Sequence, residues 1–225
     1  MTDSALNTPL YDDDFRQAFS SMVRSRRATR AYQEGPLPEE DVKEFLELVL
    51  EAPSAFNLQD RSIVVIQDEA VRAEVLAAAN NQKQVATAPL LLAFIAEPSG
   101  WKKTLPQLAE QNVTSGYWTA DVAESRSTTI SGFQSAREEA GLAREFAIRN
   151  AMIAASFAML TAPAFGWSSS PMTGFNEAAL KKAIGAENTD TVVALLLAVG
   201  VPAEEPRHPG RFPADGRVYL DRYEG

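Results

Sequence analysis

The sequence predicts an α/β or α+β domain. Three apolar runs read as buried strands: Ile63-Val64-Val65-Ile66, Leu90–Ala96 (LLLAFIA) and Thr191–Val199 (TVVALLLAV). Between them lie segments whose apolar residues recur at helical spacing. The chain has 225 residues, 45% hydrophobic and 23% charged, which suits a soluble protein long enough to bury a core.

Each element follows from a local signal. Asp14 to Arg26 carries Phe15, Ala18, Phe19, Met22 and Val23 on one helical stripe. Leu37-Pro38-Glu39-Glu40 starts a second helix, with acids facing the dipole, and Pro53 lies beyond its end. Arg61–Gln67 is a strand, and Asp68 caps a helix running to Ala79. Leu90–Ala96 is the next strand. Residues 97–135 lack a clear period and read as a variable excursion with some helix. A long helix is expected from Ala136 to Phe165, with Pro163 in its last turn and Gly166 as its stop. Trp167–Ser170 is a short strand. Asn176 caps a helix over Glu177–Ile184, and Thr191–Val199 is the last strand. The tail beyond Pro202 adds Pro206, Pro209 and Pro213, so it wraps over a surface instead of forming a packed element.

Composition excludes much. The net charge of −9 argues against non-specific nucleic-acid binding. The absence of cysteine excludes disulfides, thiolate metal sites and a cysteine nucleophile, and it fits a reducing compartment. The acidic start MTDSALNTPLYDDDF has no apolar signal core, so a cytoplasmic location is the expectation. Ala151–Trp167 is apolar on every side, but it is shorter than the ~20 residues of a membrane span and holds Ser156, Thr161 and Pro163. It reads as the centre of a packed protein or dimer. His208 is the single histidine, and no nucleophile elbow, metal-ligand spacing, dinucleotide fingerprint or P-loop occurs. An enzyme with this inventory borrows its chemistry from an organic cofactor.

Three stretches stand out, each with two readings. Arg24, Arg26, Arg27 and Arg30 put four arginines within seven residues. They form either a phosphate site or a basic turn complementing a helix dipole. Ser168–Asn176, SSSPMTGFN, is either an ordinary turn into a helix or a place where glycine lets a flat ligand approach the backbone. Pro53–Gln59, PSAFNLQ, is either a self-bonded turn or a ligand loop.

Taken in order, these stretches resemble the FMN-dependent nitroreductase family. RRATRAYQEGPLPEEDVKEFLELVLEAPSAFNLQ resembles its N-terminal signature, SSSPMTGFN its middle one, and Arg211-Phe212-Pro213 its C-terminal one. The likeness runs from about Arg24 to Val218 and is strongest toward the quinone-responsive NAD(P)H nitroreductases. It implies an α+β, three-layer α-β-α fold with a central mixed or antiparallel sheet, in one domain over residues 1–225 with an N-terminal arm at 1–13. It implies an intertwined homodimer, FMN at the interface, and a tail, 202–225, that embraces the partner.

The resemblance also assigns residues. Arg26, Arg27 and Ala28 would hold the FMN phosphate and ribityl chain, with alanine where the family often has serine. Arg30 would sit near the N1–C2=O edge of the flavin, and Lys83 would be a further polar flavin contact. Pro53, Ser54, Ala55 and Asn57 would reach the flavin from the partner chain. Asn150 would lie near the ring, and Pro171, Met172, Thr173 and Gly174 would pack beside it. Arg211 would bind the phosphate, with Pro209 where some relatives carry lysine. The implied reaction is ping-pong: NADH or NADPH gives hydride to the flavin, and a nitroaromatic or quinone then takes the electrons, with no catalytic side chain and no metal. Flavin reduction, or FMN binding without nitroreductase turnover, is the alternative. Asp60-Arg61 departs from the proline and tryptophan common at this point, and a local surface ion pair is the expectation for it.

Overall fold

A computed structural model describes residues 12–205, 207–223 and 225. The arm expected at 1–13 lies outside them up to residue 11. Four strands form one antiparallel sheet: β1 (Arg61–Val65), β2 (Leu90–Ala96), β3 (Ser168–Met172) and β4 (Val192–Gly200), in the order β1-β2-β4-β3. The helices are α1 (Asp13–Ser25), α2 (Glu39–Leu50), α3 (Glu69–Ala78), α4 (Lys83–Thr87), α5 (Trp101–Thr114), α6 (Ala120–Glu139), α7 (Ala143–Thr161) and α8 (Glu177–Ala183). The fold is α+β.

Alternation within the strands builds three layers. Leu91, Ala93 and Ile95 of β2 pack with Val75, Ala78 and Leu180 of α3 and α8. Leu90, Leu92 and Phe94 pack on the opposite face with Phe45 and Val49 of α2 and Ala154, Ala155 and Ala158 of α7. Both faces are therefore covered, which is why β2 is apolar throughout and buried at every residue. Each large side chain fully buried this way contributes about 1.5–3 kcal/mol. The β2–β4 register shifts between Phe94 and Ile95, so Ala194 is an extra residue. The bulge sends Val193 to one face and Leu195 to the other, although they are two residues apart. At Gly200 a Cβ would lie 2.6 Å from the Pro89 ring, so only glycine fits where β4 passes the start of β2.

Several expectations change. The helix expected over Ala136–Phe165 is broken: α6 ends at Glu139, Gly141 takes φ +70°, and α7 begins at Ala143. A 3₁₀ turn, Ala162–Phe165, carries the chain to Gly166, whose φ of +72° makes it the stop the sequence predicts. The excursion at 97–135 is a helical pair, α5 and α6, separated near Gly116 (φ +75°). The strand expected at Trp167–Ser170 runs on through Pro171 to Met172, which β3 tolerates as an edge strand. Ala143–Phe165 is long and apolar enough by length and composition to cross a membrane. Its alanines pack beneath the sheet, as the sequence reading of a core helix requires.

Candidate functional site

The edge of β3 organises the first part of the site. Arg26 caps α1, its N–H bonding the Met22 carbonyl at 3.1 Å. The chain then runs beside β3: Ala28 forms a parallel bridge with Ser169, and the Ser168 hydroxyl bonds the Thr29 hydroxyl at 2.6 Å. The buried Tyr32 hydroxyl, 3.1 Å from the carbonyls of Thr29 and Ala198, fixes this segment to the sheet. Gln33 N–H bonds the Val201 carbonyl and Ala203 N–H bonds that of Ala31. The tail therefore starts next to the arginine segment, and Arg211 returns to the cavity that Arg26 lines.

The arginines divide between their two readings. Arg27 donates to the carbonyls of Arg24 and Arg26, so it serves as the basic cap of α1. The buried Nη1 of Arg26 has no partner. Val23, Arg24, Arg26, Arg27, His208 and Arg211 line one cavity of about 690 Å³. No carboxylate is among them. Burial, then Arg211 and Arg27, lower Arg26 from the ordinary arginine value. Cations gathered without a counter-ion, one with an unpartnered donor, favour an anion.

A second cluster lies past the other end of β3. Asn80 and Gln82 donate their side-chain amides to the Gly174 carbonyl at 3.0 and 3.2 Å, and Asn176 N–H bonds the Ala78 carbonyl at 2.8 Å. Asn80 and Asn81 sit at φ +55° and +54°, which asparagine tolerates. Lys83, the first residue of α4, and the Pro171–Gly174 stretch are thereby brought to neighbouring loops. A Cβ at Gly174 would meet nothing within 4 Å, so one side of this backbone is open. Arg30 is exposed on the segment beside β3.

The Pro53–Asn57 loop belongs to a different neighbourhood. Its Ala55 N–H donates to the side-chain Oδ1 of Asn150 at 3.2 Å, and the Ser54 hydroxyl accepts the Gln59 N–H at 2.8 Å. Phe56 packs edge-on to Phe133 of α6. Phe56, Asn57 and Gln59 have φ of +55°, +57° and +52°, a conformation that asparagine tolerates and that costs roughly 1–2 kcal/mol at Phe56 and at Gln59. The loop is held by the pair that the sequence places at the surface. Asp60 and Arg61 are instead 2% and 8% exposed. Arg61 donates to the carbonyls of Ala52 and Pro53, and Asn150 donates to Asp60 at 3.4 Å. The surface-pair expectation fails because the Arg61 fork turns back onto the two carbonyls that follow α2, which buries it and the neighbouring Asp60. Asn150 is 4% exposed, and its side-chain amide braces the loop.

A family model described as nitroreductase matches residues 23–201. The chain belongs to the nitroreductase family. It is 30% identical over 192 residues to "Putative NAD(P)H nitroreductase MhqN" of Bacillus subtilis, covering 85% of this chain and 92% of that one. It is 32% identical over 198 residues to "NADH dehydrogenase" of Thermus thermophilus, covering 88% and 92%. The crystal structure of "putative nitroreductase ydfN" from Bacillus subtilis superposes with a TM-score of 0.83 at 29% identity, covering 91% of this chain and 99% of that one. A nitroreductase structure from Exiguobacterium sibiricum, titled as a complex with FMN, shares the fold with a TM-score of 0.81 at 24% identity, covering 90% and 97%.

Sequence reasoning missed two parts of the site. The brace of Asp60, Arg61 and Asn150 joins residues 90 positions apart, which no local spacing reveals. His208, the single histidine of the sequence, lines the arginine cavity, a placement that no local motif signals.

Proposed function

We propose that this nitroreductase-family protein is an FMN-dependent oxidoreductase working as a homodimer. It would take hydride from NADH or NADPH and pass electrons to nitroaromatic or quinone-type acceptors in a ping-pong cycle. The observation that carries the reading is the unpartnered buried Nη1 of Arg26, in a cation-lined cavity one strand-edge away from the open Gly174 backbone. The relatives' names point the same way, as does the FMN in the Exiguobacterium structure.

The residues fit FMN by chemistry. Arg26 and Arg211 supply donors for a phosphate dianion. Ala28, with no side-chain donor, leaves only backbone to the ribityl chain. Lys83, Arg30 and the Pro171–Gly174 backbone would border the ring, and the cationic side chains favour negative charge on it. FMN, when bound, supplies the hydride and electron chemistry. The protein's part is to fix the ring, hold one face open to a stacked reactant and exclude competing geometry.

The homodimer has its own support. Helix α1 presents Phe19 and Val23, 45% and 43% exposed, four residues apart on one face, and α7 presents Ile153 and Phe157 outward. In the tail, Phe212, Val218 and Leu220 are exposed. Apolar surface distributed this way fits an interface with a second copy. The Pro53–Asn57 loop, braced apart from the arginine cavity, would complete the partner's site with Ser54 and Asn57. Anaerobic titration with NADH and NADPH tests the proposal. Loss of the ~450 nm flavin band followed by its return on adding a quinone is the expected outcome. A flavin that neither nicotinamide reduces would contradict the enzyme reading.

A further inference from the structure

His208 lines the cavity that Arg26, Arg27 and Arg211 share. Its Nδ1 accepts the backbone N–H of Gly210 at 2.7 Å. With that lone pair engaged, the neutral ring carries its proton on Nε2 and offers a donor there. Arg24, Arg26 and Arg27 approach from the end of α1, and Arg211 from the tail. Ser25, Glu205 and Arg207 join Arg27 around the adjoining 350 Å³ cavity, where Glu205 is the one acid. Desolvation, then Arg27 and Arg211, lower His208 below the ordinary histidine value. The ring is thus an uncharged donor at neutral pH, adding no repulsion to the crowded cations.

We propose that His208 is a direct ligand of the FMN phosphate, donating Nε2–H alongside Arg26 and Arg211. This inference rests on the FMN reading above. Gly210 N–H is the orienting contact: it fixes the tautomer, and the short His208–Gly210 turn keeps the ring on the cavity that Arg211, the next residue, also lines.

The test is a fluorescence titration of the apoprotein with FMN and, separately, with riboflavin, which lacks the phosphate. His208→Ala is expected to weaken FMN binding roughly ten- to a hundredfold, the scale of one hydrogen bond to a charged group. Riboflavin binding should stay at the wild-type value. His208→Gln, which keeps an amide donor, should recover most of the FMN affinity. His208 is exposed, so both variants are expected to keep the wild-type melting temperature. FMN affinity unchanged in His208→Ala while Arg26→Ala is weakened would overturn the inference alone. An equal loss of riboflavin binding in His208→Ala would also overturn it. Wild-type protein that binds neither flavin would overturn the FMN reading and this inference with it.

Discussion

Asn150 on α7 donates its side-chain amide to the buried carboxylate of Asp60 at 3.4 Å. The same side chain accepts the Ala55 N–H, so one residue ties the Pro53–Asn57 loop and the entry of β1 to α7. Asn150→Ala removes both bonds and leaves a buried carboxylate and a backbone donor with one partner fewer. The expected loss is about 1–3 kcal/mol of stability, read by urea denaturation. A variant as stable as wild type would show that the brace has no energetic role.

The same carboxylate gives a pH signature. Burial raises Asp60 above the usual carboxylate range, with Glu97 adding to the rise and its own backbone bond, Arg61 and Asn150 opposing it. A folded-state value above the unfolded one means that the stability contributed by the protonated form is full below the unfolded pKa. It is lost as pH rises through the folded pKa. Asp60→Asn keeps an acceptor for Asn150 but does not ionise. Its melting temperature relative to wild type is therefore expected to climb as pH rises from ~4 to ~7. A difference that stays flat over that window contradicts the assignment.

How legible was all this in the sequence? The strands, the caps at Asp68 and Asn176 and the Gly166 stop are readable because each is a local signal, a continuous apolar run, a capping side chain or a turn glycine. The break at Gly141 was also signalled, since a glycine at the end of a polar helix is a common terminator, but the apolar stretch beyond it obscured the boundary. Helices α5 and α6 were hard to read for a physical reason. Pro106, a helix breaker by residue type, lies inside the continuous α5, and the apolar residues of the pair serve a small satellite core around Leu58, Trp101, Leu105, Leu108 and Ile130. The arginine segment was visible as an anomaly, but only the fold separates Arg27, which caps its own helix, from Arg26, whose donor is unpaired. The burial of Asp60 and Arg61 depends on where α7 lies, which neighbouring residues do not encode.

The dimer reading has a direct consequence on α1. Phe19→Asp places a charge on the apolar stripe that includes Val23. Sedimentation velocity is expected to show a shift from dimer toward monomer, with FMN affinity falling alongside, because in the proposed dimer the loop with Ser54 and Asn57 would come from the partner. A dimer that persists with unchanged FMN affinity would place the interface elsewhere.

Arg26→Ala tests the phosphate site. FMN binding is expected to weaken by ~1.5–3 kcal/mol, the scale of a hydrogen bond to a charged group. Unchanged affinity in equilibrium titration would remove Arg26 from the site.

The most direct measurement is the visible absorbance spectrum of the purified protein after incubation with FMN and removal of excess by gel filtration. One FMN retained per protomer, bleached anaerobically by NADH or NADPH, is the expected result. Protein that emerges colourless, with no gain in melting temperature from added FMN, would contradict the central claim that this nitroreductase-family chain is a flavin enzyme.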